Sequence, residues 1–434
     1  MPNAFSKEER VAFEDLLEGF HDALVLSRNV NVYATDQTMM ARTNDIIWRP
    51  QPYIAQSIPS TPGVSIAAQY QDMTQLSVPA TIGFSRTVPW TMTALDLRDA
   101  LQEGRLGEAA KQKLASDINL AIMNAAANLG SLVVDIGAAA GTYDDIALCD
   151  SIMNEQGVAN YDRFLALSSR DYNGLAGNIA GGNTASLFGN GRSFNGNKSN
   201  TAFERSYVGM VAGFETFKFD YANRLILAAP GAPPVEIDTQ VGAGNFFVPA
   251  ATSSAPTGET NNVDNRFQTI TVTATAGLKA GDAFTIEGVE AVHHITKQGT
   301  GQPKTFRVVQ IVDGTDMVIT PPIISAQGGT DAELQYQNVI VSPLAAADLT
   351  FLNAATAAVN VFWQKDSLEL LPGRYAVPSD AGTAVMRATT DQGIEVVMQK
   401  FYDIDSMTIK YRLDTLFGVV NKQPEMSGIL LFNQ

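Results

Sequence analysis

Cysteine, histidine and positive charge are all scarce in this sequence. Its 434 residues contain one cysteine, Cys149, and three histidines, His21, His293 and His294. One cysteine excludes an intrachain disulfide and any metal cluster built on several cysteines, and three histidines are few for a metalloenzyme of this size. The 29 basic and 45 acidic side chains give a net charge of −16. This charge disfavours tight binding to a nucleic-acid backbone, which requires clustered Lys and Arg.

Long apolar runs are also missing. No stretch reaches the roughly 18 residues that are needed to span a bilayer. The first ten residues, MPNAFSKEER, lack the apolar centre of a signal peptide. The sequence therefore predicts a chain that does not enter a membrane and that is made in a reducing cytoplasm.

The motifs of common enzymes are absent or incomplete. Residues 191–199 resemble a phosphate-binding loop, but Lys198 falls one position late and no convincing strand precedes it. His293 and His294 are adjacent, so in a strand they would point to opposite faces, and a structural or exposed pair is the better interpretation. Cys149 has no evident activating partner. Neither a nucleophile elbow nor a zinc-protease helix occurs.

Two acidic pairs have simpler explanations than catalysis. Asp144 and Asp145 are predicted to lie in a turn, and Asp403 and Asp405 between two strands. No catalytic, cofactor-binding or metal-binding residue is predicted, and the chain is predicted not to be an enzyme.

The strongest helical pattern is a long segment from Glu108 to Leu129. It contains no Gly or Pro, and the positions Leu114, Ile118, Ala121, Ile122, Ala125 and Leu129 form one apolar face. Gly104 and Gly107 predict a break or bend before it, and Gly130 predicts its end. We call this segment the spine helix.

The N-terminal residues predict an amphipathic helix from Phe5 to Phe20. Ser6 and Glu9 form a capping box, and the stripe Phe13, Leu16, Leu17 and Phe20 is apolar. The other face carries five acidic residues: Glu8, Glu9, Glu14, Asp15 and Glu18. The helix could pack on its own domain or act as a partner-binding arm.

Prolines dominate the region from Asp45 to Met92. They occur at positions 50, 52, 59, 62, 79 and 89, and each removes a ladder N–H, which favours edge strands and turns. An extended hairpin of this kind can bury little against itself. We expect it to pack on another element or another subunit.

The next region mixes helix and strand. Ile146 to Glu155 predicts a helix, whereas Asn160 to Ser168 and Val208 to Phe217 predict strands around a Gly/Asn-rich segment, 173–201.

From about Tyr221 to Leu344 the pattern becomes all-β. Ile270, Phe284 and Ile286 alternate with polar residues, a turn is predicted at Gly288, and Asp313-Gly314 predicts a hairpin. Short strands with turns indicate a barrel or sandwich. Residues 239–263 read as one flexible loop.

The C-terminal part returns to mixed patterns. Leu344 to Phe362 has a helical composition, while 393–401 and 407–419 predict two antiparallel strands. An α/β region interrupted by an all-β module is typical of a domain insertion.

This order of parts resembles the major capsid proteins of tailed bacteriophages, and in particular the inserted-domain coat proteins of short-tailed phages of enteric bacteria. The residues that carry the resemblance are Leu97-Arg98-Asp99, 129–134, 263–267, 269–277, 279–282, 308–315 and Asn360-Val361-Phe362-Trp363.

The resemblance implies an α+β tailed-phage capsid fold with an inserted all-β barrel. It divides the chain into an N-terminal arm (1–40), an extended β-hairpin loop (41–93), the spine helix of a peripheral domain (94–135), the first part of an axial α/β domain (136–221), the inserted β-barrel (222–344), the second part of the axial domain (345–392) and the C-terminal strands of the peripheral domain (393–434).

The implied function is a coat protein that assembles from hexamers and pentamers into an icosahedral shell around double-stranded DNA, without sequence-specific contacts. A scaffolding protein and a portal protein are the implied partners. Assembly in the bacterial host cytoplasm gives a procapsid, and the coat ends in the virion. No cofactor is implied.

Two sets of site residues are predicted. The acidic face Glu8, Glu9, Glu14, Asp15 and Glu18 is a candidate contact for a basic scaffold segment. Gly242, Gly244, Asn245, Phe246 and Phe247 match by position a long loop that makes intersubunit contacts in such coats. The alternatives are a cytoplasmic enzyme with an accessory β-barrel, or a phage tail or decoration protein.

Overall fold

The elements of the chain are taken from a computed structural model. It describes residues 10, 13, 26–33, 46–52, 55, 57, 60–67, 70–93, 100–181, 208–219, 224–231, 234–238, 247–375, 384–390 and 392–432, with the backbone alone at 100–108 and 177–181. The helices are α1 (Ala100–Leu129), α2 (Tyr143–Glu155), α3 (Ser169–Gly181) and α4 (Asp331–Tyr336). Short 3₁₀ turns cover Leu26–Asn29, Ala326–Gly328, Lys365–Ser367 and Pro424–Met426.

Strands make up most of the regular structure. The first half of the chain contains β1 (Asn31–Val32), β2 (Ile46–Pro50), β3 (Ser77–Thr81), β4 (Phe84–Thr93), β5 (Leu132–Asp135), β6 (Arg163–Leu167), β7 (Met210–Val211), β8 (Phe214–Lys218) and β9 (Arg224–Leu225). The second half contains β10 (Thr252–Ser254), β11 (Thr260–Asn262), β12 (Gln268–Thr271), β13 (Ala283–Val292), β14 (Gly299–Ile311), β15 (Asp316–Thr320), β16 (Leu349–Phe351), β17 (Ala357–Gln364), β18 (Leu368–Pro372), β19 (Ala384–Thr389), β20 (Glu395–Asp403), β21 (Thr408–Asn421) and β22 (Ser427–Leu431).

The chain divides into two compact units. The first comprises Met1–Trp48, Pro79–Ala125 and Leu368–Val420, and the second comprises Arg49–Val78, Ala126–Ser367 and Asn421–Gln434.

The first unit is built on the sheet β1-β18-β21-β20-β19, with β4 also paired to β21. The two long C-terminal strands β20 and β21 are antiparallel, as predicted. β4 lies antiparallel to β21, so this arm of the proline-dotted region packs on another element. Two aromatic pairs stack across that register, Phe84 on Phe417 at 5.4 Å and Trp90 on Tyr411 at 5.5 Å, as cross-strand partners do.

The spine helix is longer than the sequence predicts. α1 runs over 30 residues without interruption, so the predicted break at Gly104 and Gly107 is wrong. A helical Gly costs only about 1 kcal/mol, which the surrounding good helix formers offset. The apolar stripe is confirmed at Leu114, Ile118, Ala121 and Ile122, which are buried, and the helix ends at Leu129, just before Gly130.

The second unit contains a sheet of order β5-β22-β17-β6-β8-β7, with β9 on β17. Helices α2 and α3 share one buried cluster with it, which includes Met153, Tyr172, Leu165 and Phe362. Asp144 and Asp145 do not lie in a turn as predicted, but in the first turn of α2. The Asp145 carboxylate accepts from the N–H of Thr142 at 2.9 Å, which supplies the capping that the first turn of a helix requires.

The helical composition of Leu344 to Phe362 is misleading, because this segment contains the strands β16 and β17. β17 lies in the middle of the sheet and is buried at seven of its eight positions. A strand that is covered on both faces shows no alternation, so its pattern cannot be told from that of a buried helix.

The all-β module is a closed barrel. Its sheet runs β12-β15-β14-β13-β16, and the segment Val235–Asp238 joins the two edges. Ile237 N donates to Ala347 O at 3.0 Å, next to β16, and Asp238 N donates to Thr271 O at 3.1 Å in β12. Side chains from all of these parts fill the interior, among them Ile237, Phe284, Phe306 and Leu349.

The hairpin at Asp313-Gly314 joins β14 and β15 as predicted. Gly288, by contrast, forms no turn, because it lies at an irregularity inside β13, where the register with β14 shifts. The expected flexible loop 239–263 is also partly structured, because β10 and β11 pair as a hairpin within it.

Candidate functional site

A buried charged cluster joins the barrel to the sheet of the second unit. Lys304 of β14 is 1% exposed. Its ammonium donates to Glu425 Oε1 at 2.5 Å and to Gln156 Oε1 at 2.9 Å. Asn338 Nδ2 donates to the same Glu425 oxygen at 3.1 Å, and His294 Nε2 lies 3.3 Å from Glu425 Oε2. We call these five residues the Glu425 cluster.

Four of the five members are positioned by different elements. Glu425 lies in the 3₁₀ turn that precedes β22, and Gln156 is the C-cap of α2. Lys304 is buried in β14, two residues before Phe306, and its ammonium reaches Gln156 and Glu425 outside the barrel. His294 follows β13, and its N–H donates to Gln156 O at 3.2 Å.

The cluster fixes the charge state of its members. Burial alone would raise the pKa of Glu425, but the nearby positive groups and the hydrogen bonds from Lys304 and Asn338 lower it to about 2. Burial lowers the pKa of His294 to about 4, against the attraction of Glu425. At neutral pH the cluster therefore holds a carboxylate at Glu425 and a neutral imidazole at His294.

A second set of contacts holds β14 on the turn after the spine helix. Thr305 Oγ1 donates to Ser131 O at 2.7 Å, and Arg307 Nη1 donates to Gly130 O at 3.4 Å. Burial lowers the pKa of Arg307 to about 10, although Asp282 opposes the shift. These donors satisfy two backbone carbonyls of the turn that follows α1.

A third contact lies just before β12, where the chain enters the barrel sheet. Arg266 pairs with Asp264 at 2.7 Å and donates through Nη1 to Asn421 O at 2.8 Å. Together the three sets attach one side of the barrel to Gly130, Gln156, Asn421 and Glu425.

This arrangement orients two parts of one chain and offers no reactive group. Cys149 is fully buried, and burial raises the pKa of its thiol, which is the environment of a structural cysteine. In the described part of the chain no three His, Cys, Asp or Glu side chains could hold a metal ion. Among those same residues no helix has both the length and the apolar character to cross a membrane.

The predicted site residues lie mostly outside the described residues. This holds for Glu8, Glu9, Glu14, Asp15 and Glu18, for Gly242, Gly244, Asn245 and Phe246, and for the phosphate-loop resemblance at 191–199. Phe247 is described and half-buried. His293 and His294 form a structural pair, because the first accepts from Thr296 N at 3.2 Å and the second faces Glu425.

Sequence reasoning missed the Glu425 cluster. One signal was available, since Lys304 shares its phase with Phe306 and Val308 and a charge on an apolar strand face needs a buried partner. The identity of that partner, 121 residues away, had no signal.

Comparison with known proteins decides the family. A family model described as P22 coat protein, gene protein 5, matches residues 1–433. The chain belongs to the P22 coat protein family. The predicted resemblance and the fold class, an α+β capsid fold with an inserted barrel, are thereby confirmed. As a P22-type coat protein, the chain is a major capsid protein that forms a phage shell, and this structural role argues against catalysis.

Solved structures similar to this P22-type coat protein are also phage proteins. The CUS-3 coat protein I-domain is 40% identical, with 29% of this chain and 99% of that chain covered, at a TM-score of 0.23. A structure from Mycobacterium phage Che8 is 11% identical, with 94% and 91% covered, at 0.43. The capsid of the cyanophage P-SCSP1u is 10% identical, with 93% and 86% covered, at 0.41.

Proposed function

We propose that this major capsid protein assembles with a scaffolding protein into an icosahedral procapsid of hexamers and pentamers. A portal protein occupies the shell, and double-stranded DNA fills it. Assembly takes place in the cytoplasm of the bacterial host. The family match over residues 1–433 supports the shell, and the extended loop between β2 and β3 supports the intersubunit contacts.

The observation that carries the proposal is the exposure of apolar side chains on that loop. Val64 is 66% exposed, Tyr70 79% and Met73 65%. Apolar side chains grouped in this way mark an interaction surface. In a shell of identical subunits, symmetry supplies the partner surface from a second copy.

The negative charge of the chain supports a shell that does not bind its packaged DNA tightly. At −16, the coat offers few phosphate contacts and is repelled by packaged DNA. The acidic face at Glu8, Glu9, Glu14, Asp15 and Glu18 is proposed to bind a basic segment of the scaffold. Gly242, Gly244, Asn245, Phe246 and Phe247 are proposed to contact a neighbouring subunit.

Sedimentation velocity with negative-stain imaging tests the proposal on the purified chain, with and without its scaffolding protein. We expect closed, uniform shells with scaffold, and subunits or irregular assemblies without it. Small stable oligomers under both conditions would contradict shell formation. Uniform shells without scaffold would contradict the scaffold requirement alone. A reconstruction in which 242–247 touches no second copy would remove that loop from the proposal.

A further inference from the structure

The extended loop is held by the barrel along its return arm. From Asp72 to Leu76 the chain is extended and runs beside α4, the short helix of the barrel. Every second backbone N–H donates to a side chain of that helix: Asp72 N to Asp331 Oδ2 at 2.8 Å, Thr74 N to Gln335 Oε1 at 3.2 Å, and Leu76 N to Tyr336 Oη at 3.2 Å. The helix thus recognises the backbone of the arm.

Two of these side chains also donate in return. Gln335 Nε2 donates to Asp72 O at 2.7 Å, and Tyr336 Oη donates to Thr74 O at 3.0 Å. Contacts at alternate residues, with both donors and acceptors satisfied, are what a neighbouring strand would provide. Here one amide and one hydroxyl take the place of that strand.

The helix that carries these groups is itself fixed. Thr330 and Glu333 form a capping box at its start, and Glu333 is fully buried. Gln335 is 1% exposed, so its amide has little freedom to turn away from the arm. Burial in a packed site restricts the side chain to one rotamer.

The base of the loop is hydrogen-bonded, whereas its tip is exposed. At the base, Gln51 N donates to Leu76 O at 2.9 Å and Gln75 Nε2 donates to Gln51 O at 2.8 Å, which joins the two arms. Further from the base, at the tip of the loop, residues 60–67 are all exposed, including Val64 and Ile66. The contacts with α4 therefore separate a fixed base from an exposed apolar tip.

We propose that Gln335 and Tyr336 are positioning residues for shell assembly: they hold the return arm of the extended loop on the barrel, and so set the direction in which its apolar tip meets a second copy. This proposal rests on the proposed function of the loop as an intersubunit contact. It gives the inserted barrel a role in assembly that acts through the loop.

The first test measures backbone hydrogen exchange in the unassembled full chain. Tyr336→Phe removes the hydroxyl with little change of volume, and Gln335→Ala removes the amide. We expect exchange at Leu76 N–H in the first variant, and at Thr74 N–H in the second, to become about tenfold faster. Tyr402→Phe and Gln302→Ala, at exposed positions, are matched controls and should leave both amides unchanged.

The second test follows shell formation by the same four variants with scaffold. Tyr336→Phe should form closed shells several-fold more slowly at an unchanged melting temperature, and Gln335→Ala should do so at temperatures well below its own melting temperature, whereas both controls should match the parent chain. Unchanged exchange at Leu76 and Thr74 would refute the proposed hold of Tyr336 and Gln335 on the return arm. Faster exchange with normal assembly would refute the positioning role. A parent chain that forms no shells would refute the proposed function, and the exchange result would still decide whether Gln335 and Tyr336 hold the return arm.

Discussion

At the scale of single residues, Glu425 is the group on which the attachment of the barrel depends most. Its carboxylate is bonded by Lys304 and Asn338 and faces His294. A buried ion pair need not stabilise more than an apolar pair would, but loss of one partner leaves a buried charge uncompensated. Substitution of any one charged member of the cluster should therefore destabilise the protein.

Acid should destabilise the protein in two successive windows. The pKa of His294 is lowered from 6.5 to about 4, so between these values the unfolded chain binds a proton that the folded chain does not, and stability falls as the pH falls. The pKa of Glu425 is lowered from 4.5 to about 2. Its contribution is fully present above pH 4.5 and is lost as the pH falls towards 2.

His294→Gln should abolish the upper window. We expect the parent chain to lose on the order of 3 kcal/mol between pH 6.5 and 4 from this residue, and the variant to lose correspondingly less. Urea unfolding at pH 7, 5.5 and 4.5 measures the difference. His293→Gln, whose ring lies against Gly157 and not against Glu425, is the control. An equally steep acid loss in the His294 variant would contradict the assignment.

At the scale of elements, close approach of β22 to its neighbours requires Gly428. A Cβ at this position would overlap the carbonyl oxygen of Leu132 in β5 and the ring of Phe362 in β17. Both neighbours are strands of the same sheet, so neither can move without loss of its ladder bonds. The backbone itself leaves no room for a methyl group.

Gly428→Ala should destabilise the second unit by about 3 kcal/mol, because overpacking displaces backbone as well as side chains. Thermal or urea unfolding measures the loss. Gly314→Ala, in the β14–β15 turn with nothing within 4 Å of the added Cβ, should change stability by less than about 0.5 kcal/mol. Similar losses in the two variants would show that the sheet adapts to the methyl group.

Elements that are buried on one face and exposed on the other could be predicted from the sequence. Their apolar residues recur with the period at which the chain returns to the buried face. This holds for the stripe of the spine helix at Leu114 and Ile118, and for the alternation around Phe284 and Ile286 in the barrel. β17 could not be predicted, since burial on both faces removes the alternation that identifies a strand.

The contacts between elements were not predictable for a different reason. Arg266 meets Asn421 across 155 residues and Arg307 meets Gly130 across 177. No local pattern encodes such partners, because they are brought together only by the completed sheet order. The same is true of α4 and the extended arm, where the recognised groups belong to the backbone.

At the scale of the whole molecule, the net negative charge should act in opposite ways on packaged DNA and on a basic scaffold segment. In the proposed function, a strongly acidic coat repels DNA and attracts a basic segment of the scaffold. We propose that Glu8, Glu9, Glu14, Asp15 and Glu18 concentrate this attraction near one end of the chain. Electrostatic binding of this kind is reversible and weakens with salt.

Charge reversal on the arm tests this division. Glu14→Lys with Asp15→Lys should reduce scaffold incorporation at least about fivefold, measured by co-sedimentation with shells at low salt. Glu259→Lys with Asp405→Lys, at exposed positions elsewhere, changes the net charge equally and should leave incorporation normal. Unchanged incorporation in the arm variant would dispose of the contact, and equal loss in both would assign it to net charge alone.

The pairing of β9 with β17 has an evolutionary consequence. Leu225 and Ala357, which precede and follow the barrel, are opposite one another in an antiparallel register. A short turn between them would close the same ladder, so an ancestral coat could have gained the barrel at this point without rearranging its sheet. Its surface would have had to change more, because Glu425, Asn421 and Gly130 now present polar groups that the barrel satisfies. Because Asn421 and Gly130 contribute backbone carbonyls, substitutions at Glu425 would record the acquisition best.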